Sequence, residues 1–98
     1  MASNISTSLI ISTYNRSDAL ELCVKSVLRQ SLLPDEIIIA DDGSKEDTRE
    51  LIHQLAASSE VPIIHVWHED LGFRLASIRN KAIAKASKEY IIQIDGDI

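Results

Sequence analysis

Residues 37–44 read Ile37-Ile38-Ile39-Ala40-Asp41-Asp42-Gly43-Ser44, an unbroken β-branched run that gives way at once to acid, glycine and serine. A strand with one wet face alternates apolar and polar residues, whereas a continuous apolar run is the habit of a strand covered on both faces of a parallel sheet. Three further runs share the pattern: Leu9-Ile10-Ile11 before it, then Ile63-Ile64-His65-Val66-Trp67 and Tyr90-Ile91-Ile92-Gln93-Ile94 after it.

The intervals between the runs carry helical periodicity. Leu20, Cys23, Val24, Val27 and Leu28 recur at three- and four-residue spacing, with Asn15 or Ser17 as the expected N-cap. Ser44, with Asp47 three residues on, has the form of a capping box ahead of Leu51, Ile52, Leu55 and Ala56, and Pro62 closes that connection. A third helix is expected from about Phe73 to Ser87, turning Ala76, Ile83 and Ala86 inward and Lys81, Lys85 and Lys88 mostly to solvent. Strand and helix alternating in this way predict a doubly wound, mostly parallel four-stranded α/β layer, βαβαβαβ, with helices on both faces.

Composition limits what such a layer can do. The 98 residues suffice for one small domain, and a 45% hydrophobic share is ordinary for a chain that buries a core. With 15 acidic against 10 basic residues the chain is net negative, which argues against nucleic acid or an anionic membrane surface as partner and favours a small molecule. Cys23 is the single cysteine, so no internal disulfide forms, and it reads as a core thiol. Neither an export signal nor a run of about 20 apolar residues is present, so the expected location is cytoplasmic, with the inner face of a membrane open to a longer protein.

In an open α/β sheet, ligands bind beyond the carboxyl ends of the strands. The residues there are Ser12-Thr13-Tyr14-Asn15-Arg16, Asp41-Asp42-Gly43-Ser44, His68-Glu69-Asp70 and Asp95-Gly96-Asp97. Asp95 and Asp97 have the chemistry to hold a hard divalent cation, Mg²⁺ or Mn²⁺, that bridges to phosphate, although an acidic turn ending a strand is the plainer reading of that pair alone. Asp41 to Ser44 equally serves as a turn and helix cap. His53 reads as solvated, His65 as a packed or satisfied histidine, His68 as a rim residue, and Trp67 as core at the end of the third strand.

Taken together, the Ser-Thr-Tyr-Asn run, Asp-Asp-Gly-Ser, the helix start Gly72-Phe73-Arg74-Leu75-Ala76-Ser77-Ile78-Arg79-Asn80 and the closing Asp-Gly-Asp stand in order at suitable intervals. In these features the chain resembles the family 2 glycosyltransferases of the GT-A fold, from about Ser8 to Ile98. The stretch His68 to Arg74 looks like the branch that includes bacterial chondroitin-polymerase-type enzymes.

The resemblance implies a strand order of 3-2-1-4 and a role for each matching position. Ser12 to Tyr14 would line a nucleotide pocket with Tyr14 stacked on the base, and Asp42 would accept a hydrogen bond from uracil, which favours a UDP-sugar donor. Arg74 would lie near the diphosphate, with Arg79 and Asn80 as weaker candidates. Asp97 would bind the metal directly, and Asp95 would reach the ribose or the metal's water shell. The catalytic base and the saccharide acceptor site of such enzymes lie in a C-terminal half, so residues 1–98 are expected to be the N-terminal nucleotide-sugar-binding part, inactive alone. Strand four would then be an exposed edge prone to pairing with a second copy.

Competing readings fare worse. A dinucleotide-binding oxidoreductase would carry Gly-x-Gly-x-x-Gly after the first strand, where this chain has Ser12-Thr13-Tyr14-Asn15-Arg16-Ser17. A nucleotidyltransferase would want a glycine-rich phosphate loop there. The remaining rival is a nucleotide-binding module without catalytic activity.

Overall fold

A computed structural model describes residues 6–69 and 75–96. The elements run β1 (Thr7–Thr13), α1 (Ser17–Leu28), β2 (Glu36–Asp41), α2 (Glu46–Ser58), β3 (Ile63–Trp67), α3 (Leu75–Lys85) and β4 (Tyr90–Asp95). The four strands form one parallel sheet in the order β3-β2-β1-β4, as expected from the sequence. Among the described residues no helix is long and apolar enough to cross a membrane.

The apolar runs of β1 and β2 are explained by two cores, one on each face of the sheet, whereas β4 is mostly exposed and not covered on both faces as its run suggested. Leu9, Ile11, Ile37 and Ile39 point to one side, where α1 contributes Leu20, Val24 and Val27 and α2 contributes Ile52 and Leu55. Their sequence neighbours Ile10, Ile38 and Ala40 point to the other side, under Ile78 and Ala82 of α3. Successive strand residues face opposite ways, so both had to be apolar. Among the described residues β4 has only β1 beside it, and Tyr90, Ile91 and Ile92 are exposed there.

The helix starts differ from expectation. Neither Asn15 nor Ser17 caps α1; Arg16 occupies the N-cap without a side-chain capping bond. Asn15 adopts a left-handed backbone, φ 49°, and turns its groups toward the β2–α2 loop: its N–H donates to Ser44 Oγ at 2.7 Å, and its Oδ1 accepts from the Lys45 N–H at 2.9 Å. Ser44 is thereby withdrawn from the capping box, and α2 begins at Glu46 behind Lys45. Two loops that each looked like a helix cap instead brace one another across the rim. Gly43 permits this with φ 87°, a conformation that side-chain-bearing residues rarely adopt.

Helix α3 ends at Lys85, before the expected Ser87. Its buried stripe is Ile78 and Ala82, one turn apart, with Ala86 partly buried after it; Ile83 lies off that stripe and is 37% exposed. Phe73 and the side chain of Ala76 lie outside the described residues. The helix stops at Lys85 because Ser87 is captured by Glu36, whose Oε2 accepts the Ser87 N–H at 2.9 Å and whose Oε1 accepts the Ser87 hydroxyl at 3.1 Å.

Glu36 also accepts the Ser8 hydroxyl at 2.6 Å, so a single buried carboxylate ties β1, β2 and the α3–β4 connection together at the amino end of the sheet. Burial pushes its pKa up, but the bonds from Ser8 and Ser87 and the nearby Lys88 charge outweigh burial and hold it below the ordinary 4.5. Its contribution is therefore complete above that value and lost as pH falls through the lower folded value. Glu36→Gln is expected to cost about 1–3 kcal/mol near neutrality. In denaturant titrations the gap between wild type and variant should close as pH drops below 4.5. A gap independent of pH would show that the charge of Glu36 contributes nothing.

Candidate functional site

The sheet delivers its polar residues to one rim. Pairing of β1 with β2 sets Thr13 level with Asp41, and pairing with β4 sets Ser12 level with Asp95. Asp42 is tied to β1 by its N–H, which donates to Thr13 O at 3.0 Å. Gly96 is tied likewise, its N–H donating to Ser12 O at 2.8 Å. Of the expected site residues, Ser12, Tyr14, Asp42 and Asp95 are thus gathered at the ends of adjacent strands. Arg74 and Asp97 lie outside the described residues.

Their surroundings differ. Ser12 is buried, with its carbonyl engaged by Gly96, and Tyr14 is 40% exposed on the loop that follows. Asp42 is 3% exposed, and Asp95 is exposed at the end of β4. Beside Asp95 a groove of about 820 Å³ runs along α1, lined by Arg16, Cys23, Arg29 and Gly96 among others. Cys23 is partly buried against the core, and its thiol pKa is raised by burial first and by the negative charge of Asp95 second. The thiol is therefore harder to ionise than a free cysteine, and it packs against the core without being fully buried in it.

Both acids at the carboxyl end of β2 are paired with a histidine. Asp41 is fully buried; its Oδ1 accepts the Ser44 N–H at 2.9 Å, and its Oδ2 meets His65 Nε2 at 2.8 Å. Asp42 Oδ1 meets His68 Nε2 at 2.5 Å, and His68 Nδ1 lies 3.2 Å from Lys81 Nζ. His65 is the satisfied histidine expected, and His53 is exposed. The pairings themselves were missed. The available signal was that parallel neighbours end at the same level: Asp41 stands level with Trp67, which sets Asp42 beside His68, while His65 is level with Ile39, two residues before Asp41 on the same face.

Trp67 is not core. It lies 51% exposed at the end of the edge strand β3, where its indole N–H donates to Ser44 O at 3.1 Å. With His65, Lys45 and Arg49 it borders a cavity of about 320 Å³. An edge strand has no further neighbour to cover a large side chain at its tip.

Known proteins share this fold. Residues 8–98 match the model of the Glycosyl transferase family 2 family. Chondroitin synthase of Escherichia coli is 34% identical over 92 residues, covering 93% of this chain and 13% of that protein. Among solved structures, Staphylococcus aureus TarS 1–349 superimposes with a TM-score of 0.75 at 22% identity, over 95% of this chain and 28% of that one. Glucosyl-3-phosphoglycerate synthase from Mycobacterium tuberculosis, in complex with Mn²⁺, UDP and glucosyl-3-phosphoglycerate, gives 0.71 at 21% identity, over 96% of this chain and 34% of that one. The chain spans 10–19% of the length of the first three curated relatives it matches. With the parallel 3-2-1-4 sheet, the acidic rim and a family match over nearly all its length, this chain belongs to glycosyl transferase family 2.

Proposed function

We propose that residues 1–98 form the donor-nucleotide part of a metal-dependent glycosyltransferase that moves a sugar from a UDP-sugar to a saccharide or other acceptor. The observation that carries this reading is Asp42, a buried carboxylate held at the carboxyl rim between the end of β1 and His68, with Tyr14 exposed on the adjoining loop. Tyr14 would stack on uracil, Asp42 would accept its ring N–H, and Ser12 would line the nucleotide pocket. Arg74 would pair with the diphosphate oxygens.

A divalent cation, Mn²⁺ or Mg²⁺, fits the donor chemistry of the closing motif. Such ions take one or two carboxylates and complete their shell with phosphate and water, and Asp95 and Asp97 are the carboxylates in question. When bound, the ion would neutralise charge developing on the leaving diphosphate. The M. tuberculosis neighbour, captured with UDP and Mn²⁺, supports the choice of ligand. The acceptor site and the catalytic base are assigned to further chain, so the 98 residues alone are proposed to bind donor without turnover.

Calorimetric titration with UDP tests the reading. Binding is expected with Mn²⁺ and weaker without it, and Asp97→Ala should remove the metal-dependent increment. Equal affinity with and without the ion, or an unchanged Asp97→Ala variant, would defeat the metal assignment. Absence of UDP binding by the full-length protein would defeat the donor-site reading as a whole.

A further inference from the structure

Lys81, His68 and Asp42 form a chain of side chains drawn from α3, the residue after β3 and the residue after β2. Lys81 Nζ lies 3.2 Å from His68 Nδ1, and His68 Nε2 lies 2.5 Å from Asp42 Oδ1. An ammonium has three protons and no lone pair, so in this contact it donates and Nδ1 accepts. The ring proton then resides on Nε2, where it is donated to Asp42. The histidine is 6% exposed and Asp42 3%, so water competes little for these bonds.

We infer that Lys81 and His68 are positioning residues for base selection: Lys81 fixes the Nε2–H tautomer of His68, and His68 aims the Asp42 carboxylate as a hydrogen-bond acceptor. The inference rests on the reading of Asp42 as the group that meets the base. A carboxylate so held matches a pyrimidine with a ring N–H at that edge, which is uracil. Cytosine places an unprotonated ring nitrogen there, and two acceptors face to face leave both desolvated without a bond. The other tautomer of His68 would set a lone pair against Asp42 and turn the carboxylate away. Selectivity would thus depend on two side chains that do not touch the base.

UDP and CDP share the diphosphate and differ in the base, so the ratio of their affinities isolates base recognition from charge. The full chain with Mn²⁺ should prefer UDP by about tenfold or more, the penalty expected for one unmade buried hydrogen bond. His68→Leu should reduce that preference to about threefold or less, Lys81→Met should lower it in the same direction, and His68→Gln, whose amide still donates, should restore most of it. Long-range ¹H–¹⁵N spectra of the imidazoles should show His68 as the Nε2–H tautomer in the wild type, with that population lost in Lys81→Met.

If both variants weaken UDP and CDP alike, the pair acts through charge or through the fold, and the inference is overturned. An Nδ1–H histidine in the wild type overturns it as well. A wild type that fails to prefer UDP rejects the assignment of Asp42 to the base, and this inference with it. A wild type that prefers UDP beside variants that keep the full preference rejects the inference alone.

Discussion

Asp41→Ala is expected to lower the unfolding free energy by about 2–4 kcal/mol and to remove UDP binding at the same time. Asp41 has no exposed surface, and its two carboxylate oxygens serve the Ser44 N–H and His65 Nε2. Truncation leaves the Ser44 N–H and His65 Nε2 without their carboxylate partner. The damage spreads because Ser44 in turn accepts the Asn15 N–H and its carbonyl accepts the Trp67 indole N–H. Asp41→Asn should cost only about 1 kcal/mol, since the amide oxygen can still serve Ser44 while His65 changes tautomer to accept from the amide nitrogen. Urea titrations of the two variants, read beside UDP calorimetry, would settle the matter. Equal loss in both would mean that the carboxylate charge, rather than its hydrogen bonds, organises the rim.

Gly96→Ala should separate binding from folding. A Cβ at Gly96 would lie 2.8 Å from the Ser12 carbonyl oxygen and 2.9 Å from Ile11 Cγ2. Neither neighbour can retreat easily, because β1 is hydrogen-bonded on both sides and Ile11 is fully buried. The chain must therefore shift at Gly96 itself, between the two carboxylates proposed to hold the cation. Overpacking of this kind costs about 1–3 kcal/mol, which a domain with two cores can survive. Metal-dependent UDP affinity should fall at least about tenfold, since a misplacement of roughly 1 Å is enough to spoil such a site. A stable variant with unchanged Mn²⁺ dependence would show that Asp95 and Asp97 do not act through the geometry fixed at Gly96.

The architecture was legible because burial on both faces leaves a signature that no single-faced strand produces. Four nearly continuous apolar runs, interrupted by His65 and Gln93 and separated by helical spacing, leave little other than a parallel sheet. The order 3-2-1-4 did not follow from that pattern and came from the resemblance carried by the rim motifs. Local hydrogen-bond chemistry was less readable. Ser44 with Asp47 satisfies the spacing of a capping box, yet Ser44 is used across the rim by Asn15, a residue 29 positions away in the chain. Propensity rules weigh near neighbours and cannot see such a competitor. Trp67 was misjudged for a related reason: its size argued for burial, but burial depends on whether β3 has a neighbour, a property of the sheet. The pairing of Asp42 with His68 needs the level at which β2 and β3 end, and Lys81 needs the pitch of α3 over them.

The central strand β1 finds its two neighbours at very different distances along the chain. Ser8 stands level with Glu36 on one side, and Thr7 with Tyr90 on the other. At ~5–20 residues per second of synthesis, β2 emerges well ahead of β4, leaving one edge of β1 unmatched for several seconds. Closing the longer loop also carries the larger entropic toll, so docking of β4 is a late event in refolding as well. Until it docks, Asp95 has no fixed place opposite Ser12. The cleft is therefore the last part of this sheet to exist, and nascent chains caught earlier would present the open edge of β1 to whatever binds it first.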